Sequence, residues 1–215
     1  GKRMGPVVRQ RVRIRFCKHG GLRLVGHRDL VRAMERVFRR AELRLGMSEG
    51  FHPKPRMSFP SALALGIAGR EEVMELELAD DCGDAELLDR LASATLPGLE
   101  FLAVKHIPEG GKKAQLRSSS YEMEIPQPRL GQAETRVSEL IAAGACPVER
   151  SRGGKTVDPC RCLEHLKIDS GMLRMRLAAM PQGGASPRDV LTALGLQDLE
   201  WEGCYLTRTE VELQP

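Results

Sequence analysis

Basic and aromatic side chains with binding chemistry concentrate between residues 27 and 56 of this 215-residue sequence. Arginines recur through residues 28–40, and a proline-rich segment at 48–56 adds further basic and aromatic groups. Arginine and lysine bind phosphate oxygens, while histidine and phenylalanine stack on or hydrogen-bond to unpaired bases. The predicted anion- or RNA-binding residues are His27, Arg28, Arg32, Arg36, Arg39, Arg40, Ser48, Phe51, His52, Lys54 and Arg56.

The distribution of charge points to the same segment. Residues 1–60 hold sixteen Lys or Arg against four Asp or Glu, whereas residues 61–215 hold seventeen against twenty-five. The overall charge of +4 therefore combines a basic segment of +12 with an acidic remainder of −8. This segregation favours an anionic partner for the basic segment, and nucleic acid is the commonest such partner. Internal neutralisation by the acidic remainder is the alternative.

His27 follows Gly26 at the start of a predicted helix, with Asp29 in the first turn. The helix dipole by itself explains an acid at that position. A histidine there can bind an anion or transfer a proton. No nucleophile or second base is identifiable in the sequence, so we assign no catalytic residue and favour a binding protein over an enzyme.

The six cysteines are irregularly spaced, at positions 17, 82, 146, 160, 162 and 204. A disulfide framework is not expected in a chain of this length with such spacing. Cys160, Cys162 and His165 form the densest group. On a helix, residues i and i+2 do not face each other, and Cys162 with His165 supplies only two ligands. We therefore predict neither a metal site nor a cofactor.

Hydrophobic periodicity gives the elements that would position these residues. Alternation at residues 8–16 predicts a strand with Arg9, Arg11, Arg13 and Arg15 on one face. Apolar residues at helical spacing predict a helix over residues 29–41. Further predicted elements are an apolar strand-like run at 62–67, a strand at 71–78, a helix at 84–94 and a strand at 99–107. This β-α-β-β-α-β order is that of a ferredoxin-like domain.

The same order recurs in the second half of the chain. Strands are predicted at residues 121–125, 148–152, 172–180 and 204–213, and helices at 132–143 and from the Ser186 cap to about 194. The polar residues 110–119 read as a linker. We therefore predict an α+β protein of two tandem ferredoxin-like (β-α-β-β-α-β) domains, at residues 1–109 and 120–215. No sequence repeat supports the duplication, which depends on element order alone.

The arginines of the first strand admit two interpretations. In ferredoxin-like topology the first and third strands are neighbours, which brings Arg11, Arg13 and Arg15 beside Glu75 and Glu77. Cross-strand pairs of opposite charge stabilise a sheet by about 0.2–1 kcal/mol each. Arginines left over from this pairing would contact phosphate or a protein partner.

The proline-rich segment also admits two interpretations. Pro53 and Pro55 fix the backbone and favour extended conformations at the residues that precede them. The segment is then a stiff connector, with Phe51 and Phe59 in the core. Alternatively, the stiff loop is a platform that holds its basic groups near those of the first helix.

Residues 26–66 resemble the radical-SAM-linked bacterial proteins, a family with a domain of unknown function. The match rests on a His-x-Asp-Leu motif at the first helix and a Ser-x-Gly-Phe loop followed by prolines. Gly26 stands where the family pattern has serine, a change that costs a helix cap only a few tenths of a kcal/mol. The matching residues are His27, Asp29, Leu30, Ser48, Gly50, Phe51, Pro53, Pro55, Met57, Ser58, Phe59 and Gly66.

The resemblance implies a partnership with a radical-SAM protein, because members are encoded beside such a protein or fused to one. Their frequent position near genes for ribosomal proteins and a ribonuclease suggests RNA or ribosome modification. The leading hypothesis is an accessory protein that binds RNA or presents a substrate to a radical-SAM enzyme. The alternatives are an RNA-processing or RNA-modifying enzyme in its own right and a protein–protein adaptor.

The remaining sequence features limit the cellular setting. No apolar run approaches the roughly 20 residues that a membrane span needs. The basic N-terminal residues are not followed by the apolar stretch of a signal peptide. We therefore expect a cytoplasmic protein without a membrane partner.

Overall fold

The computed structural model describes residue 8 and residues 10–215, so the predicted strand arginine Arg9 lies outside the described residues. The chain divides after Gln115 into two compact units. A strand begins at Leu116, so residues 116–119 of the predicted linker are part of a strand. Each unit is described by itself.

The first unit contains four strands and two α-helices in its described part. The strands are antiparallel, and their order in the sheet is β4-β1-β3-β2. The elements are β1 Gln10–Lys18, α1 His27–Arg40, β2 Met57–Ser58, β3 Ala68–Leu78, α2 Asp84–Ala94 and β4 Leu99–Ile107.

Alternation along β1 separates a buried face from a charged face, as the sequence predicts. Val12, Ile14 and Phe16 are buried at no more than 1% exposure, while the intervening arginines are half-buried. The apolar stripe of α1 belongs to the same core and consists of Leu30, Ala33, Met34, Val37 and Phe38. Burial of such a stripe supplies most of the stability of a helix in a protein. The core thereby fixes which face of α1 remains in solvent.

The predicted strand at residues 62–67 is wrong. Leu63 and Ile67 are the buried residues of this run, whereas Ala62, Ala64 and Leu65 are exposed. In a strand with one buried face every second residue is buried, whereas here the two buried residues are four positions apart. The segment folds as irregular chain and turn. The strand before β3 is the two-residue β2 instead, which pairs with Glu75 and Leu76.

The second unit also has four antiparallel strands in one sheet, in the order β10-β5-β9-β8. The predicted strand at residues 148–152 is limited to Val148–Glu149 (β6), which pairs with β7 in a separate hairpin outside this sheet, with the turn at residues 151–153. The elements are β5 Leu116–Glu124, α3 Gln127–Ala143, β6 Val148–Glu149, β7 Thr156–Val157, β8 Leu163–Asp169, β9 Met172–Ala178, α4 Pro187–Ala193 and β10 Thr207–Leu213.

Strand β8 was not expected from the sequence. Only Leu166 of its seven residues is fully buried, and the strand lies at an edge of the sheet order. An edge strand with so few buried residues has almost no periodic signal.

The described residues therefore form a mixed α+β structure with mostly antiparallel strands and four α-helices. None of these helices has both the length and the apolar character required to cross a membrane.

Candidate functional site

The solvent face of α1 presents a stripe of charged residues at helical spacing. Residues 28, 32, 35 and 39 follow one another at intervals of three or four and therefore share a face. Arg28, Arg32 and Arg39 are exposed, and Glu35 is the acid among them. The burial of the opposite apolar stripe leaves these arginines in water along the length of the helix.

The proline-rich segment forms a hairpin-like projection, which we call the finger (residues 46–56). At its base, the Arg56 N–H donates to the Gly46 carbonyl at 2.8 Å, and the Gly46 N–H donates to the Glu77 carbonyl of β3 at 2.8 Å. A Cβ at Gly46 would lie 2.9 Å from the Glu77 Cβ, closer than real Cβ contacts. A glycine is therefore required for the finger to approach β3.

Ser48 closes the outer part of the finger. Its N–H donates to the Lys54 carbonyl at 2.8 Å, and its hydroxyl oxygen accepts from the Lys54 N–H at 2.9 Å. The five residues between them are exposed, and the Phe51 side chain at the tip is fully exposed, at 101%. Phe51 is therefore not a core residue, whereas Phe59 packs edge-on against the buried Phe16 ring, with centroids 6.3 Å apart.

A groove of about 1170 Å³ is lined by residues from α1 and the finger. Five cationic side chains line it: Arg28, Arg32, Arg39, Arg44 and Lys54. Its apolar lining is Val31, Leu43, Leu45, Met47, Pro53 and Pro55, and its remaining members are His27 and Glu35. The groove thus combines apolar lining residues with an excess of positive charge.

Internal pairing does little to neutralise the five cations. Within the described part of the chain, Arg32 alone among them has a carboxylate within 4 Å of its side-chain nitrogens, an exposed contact with Asp29 at 3.7 Å. An exposed pair at this distance contributes little. The Asp80 carboxylate also lies near Arg44, where it accepts from the Arg44 backbone N–H at 2.8 Å. Like charges that share a groove raise its positive potential and attract anions to it.

His27 lies at the start of α1 and also lines the groove. Its ring packs edge-on against Phe59, with centroids 4.6 Å apart and an interplanar angle of 88°. Burial lowers the pKa of His27, and the positive charge of Lys18 lowers it further. The imidazole is therefore neutral at pH 7 and offers one ring nitrogen as a hydrogen-bond acceptor.

Lys18 is a buried charge that sequence reasoning did not single out. Its side chain is excluded from solvent, and its Nζ donates to the Val25 carbonyl at 2.6 Å. Burial lowers the pKa of Lys18, and the nearby Glu72 carboxylate opposes that shift. The hydrogen bond links the end of β1 to the residues immediately before α1 and so helps to position His27.

The other predicted site residues lie outside the groove lining. Arg36 is exposed, and Arg40 donates to the carbonyls of Ala94 and Thr95 at the C-terminal end of α2. Arg56 approaches Glu77, with Nη1 and Oε2 3.6 Å apart. His52 is exposed beside Phe51 in the finger, and Ser48 has the structural role described above. Arg44, in contrast, lines the groove and was not predicted.

Part of the β1 arginine set forms the predicted ion pairs with glutamates of β3. Arg13 donates through Nε and Nη2 to Oε2 of Glu75, at 3.1 and 3.0 Å. Arg11 donates instead to the Gly111 carbonyl at 2.7 Å, and Arg15 donates to the Glu71 carbonyl at 3.3 Å. These arginines are therefore largely used within the first unit.

The cysteines differ in their surroundings. Cys162 is buried with its thiol near the Pro159 carbonyl, and His165 lies on strand β8, so the two do not share a helix. A different group of metal-ligand type, Cys17, His19 and Glu100, brings three ligand atoms within 4.8 Å of one another.

Comparison with known proteins identifies a family. No curated protein matches the chain. The sequence model of one bacterial family matches residues 11–187, which include α1, the finger and every residue of the groove. Since this match covers most of the chain, the protein belongs to the family described as "Uncharacterized protein conserved in bacteria (DUF2344)".

Proposed function

We propose that this protein is a cytoplasmic, RNA-binding accessory protein that presents RNA to a radical-SAM enzyme. The observation that carries the RNA-binding part is the groove. Four of its five cations have no carboxylate within 4 Å of their side-chain nitrogens in the described part of the chain. Phosphate groups are the ligands that such a set of side chains binds best.

The dimensions of the groove favour a polyanion over a single phosphate. Its cations come from both ends of α1, from residue 44 and from the finger, around a volume of about 1170 Å³. One phosphate group contacts only a few such side chains at a time. A chain of phosphates engages all of them, and each contact adds counterion release to the affinity.

The finger favours unpaired RNA. Phe51 is fully exposed at its tip, next to the exposed His52, and a large aromatic ring in water is available for stacking. Unpaired bases stack on such rings, whereas bases inside a duplex are not accessible to them. The neutral His27 ring adds a hydrogen-bond acceptor in the groove.

We further infer that the two units are ferredoxin-like domains. The order β4-β1-β3-β2 in the first unit corresponds to β10-β5-β9-β8 in the second, and each unit has the element order β-α-β-β-α-β apart from the additional β6–β7 hairpin. Sheets of this kind serve as RNA-binding platforms in other proteins. Here the binding face is instead the solvent side of α1 and the finger.

The radical-SAM partnership rests on the resemblance of residues 26–66 to radical-SAM-linked proteins. In this partnership the radical-SAM protein carries out the chemical reaction, and this chain binds the RNA. The RNA-modifying enzyme and the protein adaptor remain as alternatives, and the adaptor would use the same cationic groove for an acidic protein.

Fluorescence anisotropy of labelled RNA tests the proposal. Single-stranded and duplex RNA of the same sequence are titrated with the protein over a series of salt concentrations, starting at about 50 mM. We expect the single strand to bind more tightly, with a log–log salt slope approaching about −3.5 if all five groove cations contact phosphates. Absence of RNA binding at the lowest salt concentration would reject the proposal and favour the adaptor.

A further inference from the structure

Three side chains of metal-ligand type meet where β1 ends beside the start of β4. We propose that Cys17, His19 and Glu100 bind a Zn²⁺ ion, with one coordination position left for water or an external ligand. This site is separate from the proposed RNA groove, because none of its residues lines that groove.

The side-chain geometry is close to that of a zinc site. The Cys17 sulfur, a His19 ring nitrogen and a Glu100 carboxylate oxygen all lie within 4.8 Å of one another. The His19 Nε2 and Glu100 Oε2 atoms are 3.8 Å apart. Ligand atoms around tetrahedral zinc are about 3.3–3.6 Å apart, given metal–ligand lengths of about 2.0–2.3 Å. The side chains of His19 and Glu100 are 53% and 65% exposed, so they can rotate through the small remaining difference.

The backbone at this site is held by sheet contacts. His19 directly follows the last residue of β1 and has an extended backbone, so it projects to the same side as Cys17 two residues earlier. Glu100 is the residue opposite Cys17 on β4. The His19 N–H donates to the Gly98 carbonyl at 2.9 Å. A Cβ at Gly98 would lie 2.7 Å from the His19 carbonyl oxygen, so a glycine is needed for this approach.

The ligand set selects the type of metal. Thiolate and imidazole ligands suit zinc and disfavour magnesium and calcium, which prefer oxygen. Three protein ligands, rather than the four of a closed structural site, leave a position open. The competing interpretation is a surface ion pair between His19 and Glu100, in which Cys17 takes no part.

Cobalt titration of the purified full chain separates these interpretations. Co²⁺ replaces Zn²⁺ in such sites, and a coordinated thiolate adds a charge-transfer band in the near ultraviolet. We expect one equivalent of Co²⁺ to give this band, and added Zn²⁺ to remove it. Cys17→Ser should abolish the band, while His19→Ala should weaken Co²⁺ binding by at least about tenfold, since losing even an outer partner of a metal ligand costs 10–100-fold. Cys160→Ser, which removes another half-buried thiol, should leave the spectrum unchanged.

Thermal denaturation supplies a second measurement that does not depend on cobalt. A ligand that binds only the folded state raises the melting temperature, so Zn²⁺ should stabilise the wild-type protein and not Cys17→Ser. The proposal is overturned if the wild-type protein shows no thiolate band at excess Co²⁺, or if the band survives in Cys17→Ser. It is equally overturned if Zn²⁺ stabilises Cys17→Ser as much as the wild type.

Discussion

Removing two groove cations should weaken RNA binding far more than removing two cations elsewhere in the same unit. The groove variant is Arg28→Ala/Arg39→Ala, whose side chains line the two ends of the α1 stripe. The matched control is Lys105→Ala/Lys112→Ala, which removes two exposed charges of the same unit outside the groove lining. Lys105 lies opposite Arg13 in β4, on the face of the sheet away from α1.

The expected magnitude follows from counterion release. Each phosphate contact with a single strand contributes about 0.7 to the log–log salt slope, so two lost contacts flatten the slope by about 1.4. At about 0.1 M salt the same release is worth about 1 kcal/mol per contact, or about 2 kcal/mol for the pair. The dissociation constant should therefore rise by about 25-fold in the groove variant. In the control variant neither the salt slope nor the dissociation constant should change appreciably.

Fluorescence anisotropy with one labelled single-stranded RNA provides both the affinity and the slope for the three proteins. Urea denaturation of each variant serves as the stability control, and we expect little change because all four side chains are exposed. Equal losses in the groove and control variants would refute the reasoning, since they would indicate diffuse attraction to the whole basic unit. An unchanged slope in the groove variant would also refute it.

Three further predictions concern individual side chains. Phe51→Ala should weaken single-stranded RNA binding by about 1–3 kcal/mol without changing the salt slope, because stacking releases no counterions, and the same anisotropy titration measures it. Glu75→Gln should lower the free energy of unfolding, measured by urea denaturation, by about 2 kcal/mol. The reason is that the buried carboxylate accepts hydrogen bonds from both Arg13 and the Ala114 N–H. A variant as stable as the wild type would contradict this. The lowered pKa of His27 means that the folded state binds a proton at this ring less readily than the unfolded state does. The free energy of unfolding should therefore keep its full value above the unfolded-state pKa of about 6.5. It should decline as the pH falls from there toward the folded-state pKa. His27→Gln should reduce that decline in pH-dependent urea titrations, and an unchanged pH profile would show that His27 is not its source.

Elements with strong local signals were predicted well from the sequence. Helix α2 and strand β4 have the predicted bounds, because their periodic apolar residues are bordered by clear breaks at Gly83 and Pro97-Gly98. The predicted Ser186 cap is also confirmed: its hydroxyl oxygen accepts from the Asp189 N–H, and the Asp189 carboxylate accepts from the Ser186 N–H. The capping box is encoded within four residues, so no tertiary information is needed to recognise it.

The composition of the groove depends on tertiary contacts and was predicted only in part. Arg28, Arg32 and Arg39 line the groove, whereas Arg36 and Arg40 of the same helix do not, a distinction that charge counting does not make. Arg44 joins the groove because its neighbour Leu45 bridges to Leu78 of β3, more than thirty residues later. Membership in a bacterial family with a domain of unknown function is confirmed.

The buried Lys18 and the Cys17 group escaped prediction for a related reason. A lysine at the end of a strand is normally exposed, and nothing local indicates that Lys18 is enclosed and bonded to Val25. Cys17 and His19 acquire a third ligand only through the register that sets Glu100 opposite Cys17. Register between sequence-distant strands is not readable from either strand alone.

The central position of β1 has a consequence during protein synthesis. Its hydrogen-bonding partners are β3 and β4, so one edge of β1 stays unpaired until the chain has been made through Leu78, and the other until it has been made through Ile107. At about 5–20 residues per second, the roughly 90 intervening residues take on the order of 5–20 s to synthesise. Throughout that interval β1 has at least one unpaired edge beside a strongly apolar face. The arginines at every second position repel other copies of the same strand and so protect the nascent chain from aggregation until its partners emerge.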